Sequence, residues 1–240
     1  MKCNQSGFTL IEIAIVLVII GLLLGGVLKG QELINSARVK NLATDFKNIP
    51  VFIYGYQDKF KALPGDQVQA ALNLQFPPDG TATASTTAAT LANGVINGNW
   101  NDLGAASESY VFWQHVRLAG LAPGVTAIPG TPAHGDGYLP INAAGGEIGI
   151  QSGTTDVTKT PINGGPGATN PIRGSYVICS AGILGKFVKQ LDTQMDDGNP
   201  ATGSMMAGIA TAAGTPMQAA TLTGGTAIDD ALTYTVCMGV

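Results

Sequence analysis

The stretch Ser6-Gly7-Phe8-Thr9-Leu10-Ile11-Glu12 governs how the rest of the chain is read. It joins a short polar leader, residues 1–7, to an apolar run, residues 8–28, whose single charge is Glu12. A carboxylate inside such a run costs roughly 2.5–3.5 kcal/mol on insertion scales and is a functional candidate by default. A first-turn Glu favours the helix dipole by only a few tenths of a kcal/mol, which does not offset that cost. A secretory signal peptide would place its apolar part before a small-residue cleavage site. Here the polar piece comes first, and no Ala-x-Ala-like site closes the run. Gly21, Gly25 and Gly26 interrupt the run without ending it, and its 21 residues span about 31 Å at 1.5 Å per residue, enough for a bilayer core.

Beyond the run the pattern turns amphipathic. Val39, Leu42, Phe46, Ile49, Ile53, Tyr56 and Phe60 recur at alternating spacings of three and four, which predicts one continuous helical face. A helix from Phe8 to Phe60 would be roughly 80 Å long. Such a face fits a coiled-coil seam or a stem that packs on the chain's own head. Pro50 removes one backbone donor and predicts a kink near Phe46–Pro50. Gly21, Gly25, Gly26 and Gly30 are weak points for the helix, or small-residue sites for close helix packing in a membrane.

Gly7-Phe8-Thr9-Leu10-Ile11-Glu12, behind a leader containing Lys2 and ahead of an unbroken apolar run, resembles the cleavage and methylation signal of type IV prepilins and type II secretion pseudopilins. The resemblance implies a cut between Gly7 and Phe8 by a prepilin peptidase, N-methylation of Phe8, and pairing of Glu12 with the N-terminal amine of a neighbouring subunit. A carboxylate beside a buried ammonium offsets part of both desolvation costs, and a wrong register would leave both charges unpaired. Many members of the family carry a Pro near the end of the membrane run, where this chain has Lys29. The implied fold is α+β and pilin-like: a long N-terminal helix packed on a small antiparallel-sheet head. The implied organisation is a leader over 1–7, a transmembrane and filament-core helix over 8–28, an amphipathic stem over 29–62, and a head over 63–240 with a C-terminal disulfide loop. Two further stretches, Tyr56–Asp66 and Leu191–Gly198, resemble prepilin-like sequences whose functions are mostly unassigned.

Once the cut is placed, Cys3 leaves with the leader, and Cys179 and Cys237 remain. An oxidising compartment favours a bridge between them, and the pair resembles the C-terminal disulfide loop of many type IV pilins. Two buried free thiols are the alternative. A bridge would tie down the C-terminus and contribute on the order of 4 kcal/mol in the chain-entropy model.

Gly accounts for 33 of 240 residues, and charged residues for 12%. That Gly share is about twice the usual one and predicts a loop-rich head. Residues 29–61 carry six basic and three acidic residues, a net of +3, whereas residues 62–240 carry five basic and twelve acidic ones, a net of −7. An acidic head excludes a nucleic-acid surface, which needs a basic patch. Basic stems packed between acidic heads suit this asymmetry.

In the head, Leu63-Pro64-Gly65-Asp66 reads as a turn, with Asp66 capping a short helix over 67–72. Residues 77–101 and 151–174 read as loops. Residues 107–121 and 183–195 read as helices, the first with Phe112 and Trp113 in the core. Residues 147–150, 175–179 and 232–238 read as strands. His115 and His134 stand alone, with no nucleophile or ligand spacing around them. No Ser/His/Asp or Cys/His set, phosphate-binding Gly loop or Cys-x-x-Cys-His is present. The chain therefore reads as a non-enzyme. Asp192, Asp196 and Asp197 gather at a helix C-terminus, where the dipole disfavours anions. Calcium would relieve this, and some major pseudopilins bind calcium in a C-terminal loop; no other cofactor is expected.

The resulting expectation is a structural subunit that polymerises with its own copies. It would start as a single-pass inner-membrane precursor with a cytoplasmic leader. A pilus or secretion assembly platform would then carry it into an extracellular or periplasmic filament. A type IV pilus subunit, a type II secretion pseudopilin and a minor pilin with an adhesive or ligand-binding head all fit.

Overall fold

The apolar run and the helical spacing over Val39–Phe60 give one helix, α1, which runs unbroken for 51 residues over Leu10–Phe60. It continues through Pro50, although that residue has no amide to offer the Phe46 carbonyl. The computed structural model describes residues 10–76, 82–87, 90–164, 169–210, 214–222 and 227–240. The chain divides into two compact units, Met1–Arg38 and Val39–Val240. The boundary falls inside α1.

In the first unit α1 is apolar over residues 10–28 except at Glu12, and its large side chains are exposed. Among the described residues, α1 is the one helix long and apolar enough to cross a membrane.

In the second unit α1 has one buried stripe. Val39, Leu42, Phe46, Ile49, Ile53 and Tyr56 are buried, and Phe60 packs half-buried beside them. The repeat at spacings of three and four is thus covered by the chain's own head. The remaining elements are α2 (Gln69–Gln75), α3 (Glu108–Leu118), β1 (Ile148–Ser152), β2 (Ile162–Gly164), β3 (Asn170–Pro171), β4 (Tyr176–Leu184), α4 (Gly185–Met195), β5 (Met205–Gly208), β6 (Met217–Gln218) and β7 (Thr233–Gly239).

Four strands form an antiparallel sheet in the order β1-β4-β7-β5. Strand side chains alternate between faces, and both faces are buried. Ile148, Ile150, Ile178, Met205, Ala207 and Val236 join the core that holds the α1 stripe, Phe112, Trp113 and Phe187. Val177, Cys179, Met206 and Cys237 enter a second core with Ile162, Ile172 and Met217. That second core is covered by a small sheet in the order β3-β2-β6, in which β2 and β6 run parallel. The Cys179 and Cys237 sulfurs are bonded to each other, across directly opposed positions of β4 and β7. The C-terminal strand is therefore held on both edges by hydrogen bonds and by a covalent bond from beneath.

Three local readings change. The 151–174 segment holds β2 and β3, and β5 and β6 were not foreseen; strands of two to four residues are too short to show period-two alternation. Ile183 and Leu184 end β4 rather than start α4. Asp66 does not cap α2, whose N-cap position is Val68. Its buried carboxylate instead accepts from the Asn93 and Gly94 amides at 3.2 and 2.7 Å, fixing the 93–94 turn. Of the 77–101 stretch, residues 77–81 and 88–89 lie outside the described residues; the rest has no helix or strand, yet buries Ala82, Ser85 and Ile96.

The disulfide joins positions separated by 58 residues. Replacing both cysteines by Ala is expected to lower unfolding stability by about 3–4 kcal/mol, measured by urea denaturation of the full chain in detergent. An unchanged midpoint would show that the two sheets alone hold β7.

Candidate functional site

Glu12 lies in the first turn of α1, on the exposed apolar unit. Around it Ile11, Ile13, Ile15 and Val16 are solvent-facing. A Cβ placed on Gly21, Gly25, Gly26 or Gly30 would meet nothing within 4 Å. This half of the helix is therefore a bare apolar cylinder with a carboxylate at its start, which must be taken up by lipid or by other helices. Gly7 and Phe8, the expected cut and methylation positions, lie outside the described residues.

The head holds ionisable groups in its interior, and their contacts decide whether a reactive constellation exists. His115, fully buried, accepts the Gly65 amide at Nδ1 (2.8 Å), so Nε2 carries the proton and donates to the Thr83 carbonyl at 3.0 Å. Burial pushes its pKa down to about 4, leaving the ring neutral. The approach is tight: Gly65 sits at φ +92°, and a Cβ there would meet the Glu108 carbonyl oxygen at 2.6 Å. Glu108 accepts from the Asn97 amide and side chain and from the Thr90 hydroxyl. Burial raises its pKa against those hydrogen bonds.

Arg117, also buried, pairs with no carboxylate among the described residues. Its guanidinium donates to the carbonyls of Pro123, Val125 and Tyr138 at 3.1, 2.9 and 2.7 Å and lies 5.0 Å from the Tyr138 ring centre. It clamps the loop after α3. Tyr56 donates to Gln67, tying the stem to the turn that follows it. None of these groups forms a nucleophile–base pair. Sequence reading missed Glu108 and Arg117, because a lone charge in an amphipathic helix looks like a solvated one. His134, on the surface, contacts Glu147 at 2.6 Å.

The three aspartates after α4 are used unequally. Asp196 accepts from the Ser204 hydroxyl and the Met205 amide at 3.1 and 2.8 Å. Asp197 accepts from the Asn199 amide and the Thr202 hydroxyl, both at 2.8 Å. Asp192 is only 1% exposed and neither oxygen has a hydrogen bond of ordinary geometry. Burial pushes its pKa up to about 6, reinforced by Asp197 and Asp196 and opposed by the nearby Gly198 and Asn199 amides. Among the described residues, no group of three or more His, Cys, Asp or Glu side chains converges in a way that could hold a metal ion. Asp196 and Asp197 instead satisfy the donors of their own loop.

Against this geometry, residues 2–28 match the prokaryotic N-terminal methylation motif, the prepilin-type cleavage and methylation signal of type IV pilins and pseudopilins. No curated protein and no solved structure matches the chain. The motif implies processing by prepilin peptidase, and with the apolar helix it fits an inner-membrane precursor.

Asp192 and His115 act oppositely on stability. A carboxyl whose folded pKa is raised binds more protons folded than unfolded between about pH 4 and 6, so its effect worsens stability as pH rises through that window. A His whose folded pKa is lowered binds fewer, so its effect worsens stability as pH falls from about 6.5 to 4. Asp192→Asn is expected to raise stability by on the order of 2 kcal/mol at pH 7.5 and by little at pH 4. Thermal melts of the full chain at both pH values check this; equal shifts at the two would remove the titration as the cause.

Proposed function

We propose that this chain is a structural subunit of a type IV pilus-like filament. Cleavage between Gly7 and Phe8 and methylation of Phe8 release a subunit that polymerises through its N-terminal helix, with Glu12 as the assembly residue. One observation carries the reading: the methylation motif at residues 2–28 opens a 51-residue helix whose first half is apolar and exposed and whose second half is anchored in its own head. The interior polar groups of that head serve its fold, which supports a structural subunit over an enzyme. The motif is common to pilins and pseudopilins. The bridged C-terminal strand favours the pilus subunit, with the head outside the cytoplasm, where disulfides persist.

The test is genetic and chemical. Glu12→Ala should be cleaved at the wild-type site, giving Phe8 on N-terminal sequencing. Its yield of sheared filaments should fall by at least about tenfold, the effect of leaving one buried charge unpaired. Gly7→Leu should retain the leader and stay in the membrane. Filaments of normal yield and order from Glu12→Ala would remove the assembly role.

A further inference from the structure

A groove of about 200 Å³ opens beside the buried stripe of α1, lined among others by Asp45, Asn48, Ile49, Phe52, Trp113 and Ile141. Positions 45, 48, 49 and 52 follow the i, i+3, i+4, i+7 pattern and therefore share one helix face. The groove is apolar except at Asp45 and the exposed Asn48. Asp45 is half-buried, and its carboxylate makes no ion pair or hydrogen bond among the described residues. Burial alone raises its pKa; no cation or donor acts on it. A carboxylate left half-desolvated inside one chain is unfavourable unless something pairs with it.

The lining states what that something is. A carboxylate among aromatic and aliphatic side chains suits an alkyl cation: the charge meets Asp45, and the methylenes lie among Ile49, Phe52, Trp113 and Ile141. The chain itself carries such cations without partners. Lys29, Lys61, Lys159 and Lys189 are ion-paired, and Lys59 donates to the Ala119 carbonyl. Lys40 and Lys47, on the same stem as Asp45, are exposed and engage no carboxylate through their side chains among the described residues. Lys47 is two positions from Asp45 and Lys40 is five; neither spacing brings side chains together on a helix. Stem lysines and groove can therefore satisfy each other only between copies.

We propose that this groove receives a stem lysine of a second copy, Lys40 or Lys47, with its ammonium on the Asp45 carboxylate. The inference rests on the filament reading above and adds a specific contact between subunits that is separate from the N-terminal helix.

Two measurements on filaments of the full chain test it. The first carries a photo-crosslinking benzoylphenylalanine in place of the exposed Asn48, with Asp45 native. Mass spectrometry should find position 48 joined to residues 40–47 of a second copy. The second measures filament yield. Asp45→Lys should cut it by about tenfold or more through like-charge repulsion, while its melting temperature in detergent stays near wild type. Adding Lys40→Asp or Lys47→Asp should recover most of the loss. Cross-links that reach only other segments of the second copy, or Asp45→Lys filaments at wild-type yield, overturn the groove contact and leave the filament reading intact. Absence of filaments from the wild-type chain would instead remove the filament reading itself.

Discussion

One helix with two kinds of surface constrains everything else in this chain. Over residues 10–28 α1 is apolar on every side but for Glu12, and over Val39–Phe60 it carries a single buried apolar stripe. A stripe can be covered by a small domain. An apolar cylinder cannot be covered by its own short chain and needs lipid or neighbouring helices. The head exists on the first condition: Leu42, Phe46, Ile53 and Tyr56 are its central residues and appear in the same core as the sheet, α3 and α4. The methylation motif belongs to the second condition, because it opens this apolar helix and together with it fits an inner-membrane precursor.

The sheet carries the consequence further. With the stem on one face and the β3-β2-β6 layer on the other, β4 and β7 are buried on both sides. Central strands of this kind tolerate neither slippage nor a frayed end, since a shift of one residue exchanges the two faces. The Cys179–Cys237 bond sits at an opposed pair in this register. It fixes the alignment of the last strand where the fold is least able to accommodate an error.

What was legible in the sequence follows from how each signal is encoded. The stem could be read because seven apolar residues repeat without a miss, and six of them are buried. The N-terminal motif could be read because a charge in an apolar run has few explanations. The short strands β2, β3, β5 and β6 could not, because two to four residues show no periodicity. Asp66 was misassigned for a different reason. An aspartate after Pro-Gly can cap a helix or receive distant amides, and the choice depends on residues 93–94, which only the folded chain brings near. The same holds for Arg117, whose acceptors are carbonyls of a loop with no sequence pattern of its own.

These polar clamps also account for a head so poor in surface charge. Long Gly- and Thr-rich segments offer little apolar area to hold them, so their backbone must be gripped by side chains. Arg117 grips 123–138, Glu108 grips 90–97, His115 links residue 65 to residue 83, and Asn142 reaches Ser180 and Ala181. Charges turned inward to do this are not available to decorate the surface. On α1 the balance is reversed, with Lys40 and Lys47 exposed and Asp45 half-buried, all without a charged partner among the described residues of a single copy. A subunit built this way stabilises its head with internal hydrogen bonds and leaves unpaired charges on the stem, an element able to present them to another copy.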